Sequence, residues 1–390
     1  TAAVADGKSL RQRVSQEEPS GMLPALSRVR CTLGRSPFSY RDNGRNNMLN
    51  VRLALLTLYY HATWPLRRWW IRRWQKQACV PMSVLLYHRI ASDCPVSWVT
   101  SLSAFRQHLA WLRRHAEVVS LHEIQARLIS GNRESRPCVA ITFDDGYADN
   151  LREAVPLLLE ARMPFTFFVT VTNLLQERRF AHDLEQGQSW RLVSPRELRE
   201  LADSGVEVGS HGLTHADYSL LNIDELVREI NDSKHILEDL AGRPVRALAI
   251  PFGQPRQMTP EVFQIAYEAG YTCVCSAYGG YNIPGRHRFH IRRFHGDDPL
   301  IRLINQVTID PRLVWQTQRD SVWEAQSERP GSLMRGNEDA IVAPCTLLSQ
   351  DGEQRPAVGE TSARLPTGTA PLPEAGAATS PDKVLLGGNL

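Results

Sequence analysis

Cys138-Val139-Ala140-Ile141-Thr142-Phe143-Asp144-Asp145-Gly146 decides how this chain is read. Its apolar run has the pattern of a buried strand, and that strand ends in two adjacent carboxylates and a turn-forming glycine. A second patch, Ser210-His211-Gly212-Leu213-Thr214-His215, follows the short strand Val206-Glu207-Val208-Gly209. Both patches put polar side chains where a strand ends, and neighbouring strand ends in an α/β fold converge on one cleft. One carboxylate with two imidazoles is a ligand set for a divalent metal that keeps coordination positions open. The second carboxylate is then free to act as a base, and the combination is that of a hydrolytic site. Taken alone, Asp-Asp-Gly is a common turn and His-x-x-x-His is commonly a helix face. Gly212 and the strand before it argue against a helix here, and the weight rests on the conjunction.

Outward from these patches, from about residue 80, strand and helix signals alternate, the mark of a largely parallel sheet with crossover helices. Glu117-Val118-Val119 reads as a short strand, Ser120-Leu121-His122-Glu123 as a capping box, Leu151 to Arg162 as a helix, and Phe165 to Val169 as a strand. Ser194-Pro195-Arg196-Glu197 opens a further helix, a longer one runs from Ile223 to Leu240 and stops at Gly242, and Thr272 to Ser276 gives a late strand.

A third patch, Ala247-Leu248-Ala249-Ile250-Pro251-Phe252-Gly253, follows in order. With Thr142-Phe143-Asp144-Asp145-Gly146, the two-histidine patch and the strand Val84-Leu85-Leu86 leading into Tyr87-His88-Arg89, it makes the chain resemble the polysaccharide deacetylase family, the nodulation-protein-B-like carbohydrate esterases of family four, over roughly residues 80 to 315. The resemblance implies an α/β fold, a distorted (β/α) barrel of about seven units. It implies Asp145, His211 and His215 as metal ligands, Asp144 as general base and the backbone N–H of Phe252 as oxyanion donor. Zinc is the expected ion, with other first-row divalent metals as alternatives. The implied reaction removes N-acetyl groups from an amino-sugar-containing polysaccharide or glycolipid of the cell envelope. The same site could act as an O-acetyl esterase or on a non-sugar amide, and a non-catalytic glycan-binding relative is the third reading. Tyr147 and Pro251 are expected at the substrate, with His88, Asp183 and Arg293 as further candidates. The chain departs from the family pattern at two points. Ala249 stands where many members have an arginine before the Pro-Tyr-Gly segment, so that Arg292 or Arg293 would have to replace it in space. The usual late Leu-x-His, which supplies the general acid, has no clean match, and His295, with His290 behind it, is the nearest candidate.

The 390 residues carry 45 Lys+Arg against 42 Asp+Glu, but the near balance hides an uneven distribution. Between Lys8 and Lys76 arginines and lysines recur, against only Asp6, Glu17, Glu18 and Asp42 in the segment to residue 76. Residues 1–47 lack periodicity and read as a disordered leader. Residues 48–79 form a basic aromatic segment in which an apolar run from Leu53 to Leu66 meets Arg67-Arg68-Trp69-Trp70-Ile71-Arg72-Arg73-Trp74. The run is shorter than the ~20 residues that span a bilayer. It reads either as an anchor lying on anionic lipid, giving peripheral membrane contact through 53–74, or as a helix packed on the domain itself. No cleavable signal peptide is expected, because the apolar run is internal, and the location is left between cytoplasm and a membrane-associated place at the cell envelope. The seven cysteines are scattered without a C-x-x-C pair, so they read as small buried hydrophobes and not as a disulfide framework. Recurrent proline among Gly, Ala, Ser and Thr makes 316–390 a disordered tail. Nothing in the pattern resembles a nucleic-acid motif.

Overall fold

The computed structural model describes residues 43–93, 96, 98–296 and 299–317, of which 43–49 as backbone only. The expected leader and tail lie outside the described residues except where they meet the domain. There the first helix among the described residues is Asn43–Lys76, beginning ahead of the boundary drawn at 48, and helical backbone continues to residue 317.

The strands are β1 (Ser83–Tyr87), β2 (Arg89–Ala91), β3 (Val99–Ser101), β4 (Glu117–Val118), β5 (Cys138–Phe143), β6 (Thr166–Val169), β7 (Glu207–Ser210), β8 (Ala247–Ala249), β9 (Cys273–Cys275), β10 (His290–Ile291) and β11 (Phe294–His295). β2 and β3 pair with each other; the main sheet runs β10-β9-β8-β7-β6-β5-β1-β11, with β4 beside the start of β5, and its pairings are parallel. β10 and β11 lie at opposite edges of this order yet are separated in the chain only by Arg292 and Arg293. One segment therefore covers both edges, which curls the sheet into the barrel-like α/β form that the alternating pattern predicts. Parallel strands aligned in register carry their C-terminal ends to one rim, so the residues after β1, β5, β7 and β8 meet there.

Alternation along the strands divides the core. Leu85, Tyr87, Val139, Ile141, Phe143, Phe167, Leu248 and Val274 join the large cluster with the flanking helices. Val84, Cys138, Ala140, Phe168, Ala247, Ala249, Cys273 and Cys275 form a second cluster with Leu121, Ile124 and Leu128 of the helix Leu121–Ser130. The second face is dominated by small side chains, as the narrow concave side of a curled sheet requires. Cys138, Cys273 and Cys275 are free and buried, as small hydrophobes. Cys79 is disulfide-bonded, so the reading of every cysteine as unpaired does not hold for it.

Local signals mostly act as written, with two differences. The expected helix from Leu151 to Arg162 is two helices, Asp149–Glu153 and Val155–Glu160. Pro156 opens the second, because it has no N–H to continue the first. Ser120 caps its helix by accepting from Glu123 N at 3.1 Å, but the return half of the box is missing, since Glu123 pairs with Arg127 at 2.7 Å. Ser194 and Glu197 form the full box.

The helix Asn43–Lys76 packs one face of the basic aromatic segment on the domain. Arg67 is fully buried and donates to Thr63 Oγ1, Asn305 O, Asn305 Oδ1 and Thr308 Oγ1 at 2.6–3.2 Å. Trp70 and Trp74 are buried in the main core, and Tyr59 donates to Asp310 at 2.7 Å. Each indole removes about 150–250 Å² from water, and at about 25 cal/mol per Å² the pair contributes several kcal/mol to holding the helix on the domain.

Candidate active site

The rim of the sheet gathers the polar residues that the sequence singles out. Asp144 and Asp145 leave β5, His211 leaves β7, and His215 lies four residues on, in a loop that returns toward Asp145. His211 Nε2 and His215 Nε2 stand 3.4 Å and 3.5 Å from the same oxygen, Asp145 Oδ1. These three side chains form the group of donor atoms among the described residues that could hold a metal ion, all within 4.8 Å of one another.

The donor set fits a divalent cation on three counts. Asp145 Oδ1 is buried and has no hydrogen-bond partner, a costly state for a carboxylate oxygen unless a cation faces it. His211 Nδ1 lies 2.8 Å from Ala249 O, so Nδ1 carries the proton and Nε2 presents a lone pair to the cluster. Asp145, His215 and Phe252 also take positive φ values of 71°, 62° and 62°, a cost in strain that clusters at ligand sites.

Electrostatics separates the two aspartates. Arg293, with no exposed surface, grips Asp144 with two parallel bonds, Nη1 to Oδ1 at 2.7 Å and Nη2 to Oδ2 at 2.8 Å. Burial works against ionising Asp144, but Arg293, His211 and His88 outweigh it and hold its carboxyl below the usual range. Burial likewise opposes ionising Asp145, but the neighbouring imidazoles of His211, His88 and His215 outweigh it and hold its carboxyl below the usual range. His211 is raised because Asp144 and Asp145 outweigh its burial, whereas His215 is pushed down to about 4 by burial, with His211 adding to the effect. Asp144 is thus an anion held by a cation, and Asp145 an anion held toward two imidazoles.

Arg293 answers the question raised by Ala249. The guanidinium reaches Asp144 from the gap between β10 and β11, the segment that covers both edges of the sheet, and is fixed there by donating from Nε to Ser276 O at 2.9 Å. Arg292 lies instead by Tyr278. Removing Arg293 would leave a buried, unpaired carboxylate. Arg293→Met is expected to cost about 3–5 kcal/mol of stability in denaturant melts, and much less on top of Asp144→Asn. Equal costs in the two backgrounds would contradict this pairing.

The other candidates are distributed as follows. His88 follows β1, stacks on His295 with ring centroids 6.0 Å apart, and feels both Asp145 and Asp144, although burial dominates and lowers its pKa. His295 is exposed and its Nε2 lies 3.1 Å from Ala277 O. His290 is buried against Ser276, 2.9 Å away, on the strand that pairs with β9. Phe252 is 49 % exposed with its ring edge-on to His215 at 5.1 Å, and Pro251 beside it is buried. Tyr147 and Asp183 are both fully buried, and the Tyr147 hydroxyl donates to Asp183 at 2.9 Å, so that hydroxyl is committed inside the protein. Burial raises the Asp183 carboxyl. Tyr281 fills the core and donates to Gln306 O.

Glu229 went unread in the sequence, and His88, named there only as a candidate at the substrate, lies in a further pattern. A Leu-x-His is present after all, as Leu86-Tyr87-His88; it comes at the first strand and not late in the chain. Glu229, on the helix Ile223–Ala241, accepts from Leu213 N, Thr214 N and the Thr214 hydroxyl, and so fastens the loop between the two histidines. Its signal was a carboxylate set within the buried stripe of Leu226, Ile230, Ser233 and Leu237. Gly212 in that loop has φ +79°, and a Cβ there would lie 2.8 Å from the Tyr218 hydroxyl and 3.2 Å from Glu229, so only glycine fits.

The chain is similar to known proteins over the part that carries this site. Residues 131–274 match the polysaccharide deacetylase family. YxkH of Bacillus subtilis, provisionally described as a polysaccharide deacetylase, is 27% identical over 203 residues, 52% of this chain, and the match spans 65% of that relative's length, just under two thirds. The deacetylase PplD of Streptococcus pyogenes, solved with acetate, superposes with a TM-score of 0.50 at 20% identity, over 59% of this chain and 99% of that one. IcaB of Ammonifex degensii follows with a TM-score of 0.49 at 22% identity, over 58% and 97%. At 20% identity the likeness to PplD is one of fold. The matched stretch runs from ahead of β5 into β9 and contains the carboxylate pair, both histidines and the Pro251–Gly253 turn, so it is the part of the chain that carries the candidate site that is similar to the polysaccharide deacetylase family.

Proposed function

We propose that the chain is a metal-dependent hydrolase that removes N-acetyl groups from an amino-sugar-containing polysaccharide or glycolipid. The observation that carries this reading is the division between the two aspartates: Asp145 turns an unpartnered oxygen toward two Nε2 atoms, while Asp144 is held away from that role by Arg293.

Asp145, His211 and His215 would hold the ion, zinc or another first-row divalent metal. When bound, such an ion supplies Lewis acidity toward a water and a carbonyl oxygen. Asp144, ionised and aimed by Arg293, takes the proton from the attacking water. Breaking the C–N bond requires a proton for the departing amine. His88, which follows β1 within electrostatic reach of both carboxylates, is our candidate to donate it, whereas the His295 Nε2 is engaged with Ala277 O. The Phe252 N–H, at the exposed turn beside His215, is our candidate donor to the oxyanion. Phe252, Pro251, His88 and His295 then border the acetyl-bearing sugar, and Glu229 keeps the histidine loop in place.

Acetate release from N-acetylated glycans, set against O-acetylated glycans and simple acetamides, tests the substrate class. The reading expects the N-acetylated glycan to be preferred. Preference for the ester or for a non-sugar amide would transfer the same residues to that bond, and binding of glycan with no acetate from any substrate would leave a binding protein.

A further inference from the structure

The helix Asn43–Lys76 has two apolar faces, and the domain covers one of them. Thr63, Arg67, Trp70 and Trp74 recur at steps of three or four residues, the spacing of a single helix face, and are turned into the domain. A second series, Val51, Leu55, Leu58, Ala62, Leu66 and Trp69, has the same spacing. Leu58 and Arg67 are nine positions apart, two and a half turns at 3.6 residues per turn, so the second series points away from the docked face. It is exposed: Leu58 at 65%, Leu55 at 59%, Val51 at 58% and Trp69 at 57%. Exposed Arg52, Arg68, Arg72 and Lys76 accompany it, and the helix contains no Asp or Glu. No helix among the described residues is long and apolar enough to cross a membrane.

We propose that this outward stripe lies on the surface of an anionic bilayer, with Leu55, Leu58 and Trp69 in the acyl boundary and the arginines among the headgroups. Charge decides the occupant. A second copy packed on the stripe would bring Arg68, Arg72 and Lys76 of two helices together with no carboxylate on either helix to pair them, whereas anionic headgroups neutralise all of them. The sequence offered anchor and packed helix as alternatives; the structure lets one helix do both, because Arg67, Trp70 and Trp74 fix the orientation in which the stripe is presented.

Co-sedimentation of the full chain with vesicles tests this, using phosphatidylglycerol mixed with phosphatidylethanolamine against phosphatidylcholine alone, at low and high salt. Binding to the anionic vesicles only, weakened but not abolished by salt, is expected. Leu55→Glu, Leu58→Glu and Trp69→Glu combined should lower it at least about tenfold with the circular dichroism spectrum unchanged. Arg68→Gln with Arg72→Gln should lower it about fivefold per removed cation and reduce the salt dependence, which keeps the test decisive if the triple variant misfolds. Equal binding to phosphatidylcholine, no binding to either vesicle, or a dimer in solution that the triple substitution dissociates would each overturn the proposal.

Discussion

Asp144→Asn is expected to keep the divalent ion and lose about 100-fold to 10,000-fold of the acetate-releasing activity, the usual contribution of a positioned general base. The asparagine keeps the shape of the side chain but cannot accept a proton. It also leaves Arg293, fully buried and bonded to both carboxylate oxygens, without its anion. The variant should therefore melt earlier than wild type while remaining folded. Rates and ion content are to be measured on the same folded preparation. Retained activity would remove Asp144 from the role of base, and loss of the ion would show that it serves as a ligand.

His211→Ala and His215→Ala are each expected to lose stoichiometric metal, and with it activity. Each removes one of three donors directed at a single locus, and the unpartnered Asp145 Oδ1 gains nothing in exchange. Asp145→Asn should weaken metal binding in the same way, since an amide oxygen carries no net charge to offset the ion's. Elemental analysis after dialysis reads the result directly. Full occupancy in both histidine variants would disprove the ligand set.

What could be read from the chain beforehand follows from how local each signal is. β5 and its carboxylates, and β7 with its histidines, are written in contiguous residues, and the parallel pairing of β5, β6 and β7 carries them to one rim without further information. The small residues of β8 and β9 are equally local, though the reason for them, a crowded concave face, appears only once the sheet curls. Arg293 is different. It lies 149 residues from Asp144 in sequence, and its reach depends on the segment that closes the two edges of the sheet, which no local pattern announces. His295, the candidate acid late in the chain, and His88 at the end of β1 come together across the sheet with ring centroids 6.0 Å apart. β1 lies between β5 and β11 in space, so a histidine at its end reaches the same cleft from the start of the domain. Tyr147, expected at the substrate, turns its hydroxyl inward because Asp183, 36 residues on, is buried beside it and needs a donor. The basic aromatic helix could not be assigned to one face because Arg67 looks like Arg68 in a sequence, and only its partners at Asn305 and Thr308 distinguish them.

The most direct test of the central claim is acetate release from an N-acetylated amino-sugar polymer, measured on the full chain as isolated, after chelation, and after adding zinc back. The account predicts acetate from the first, none after chelation, and recovery on restoring the ion, with Asp144→Asn failing to recover although it rebinds the ion. Acetate release that survives complete removal of the ion, or recovery by Asp144→Asn to the wild-type rate, would contradict it.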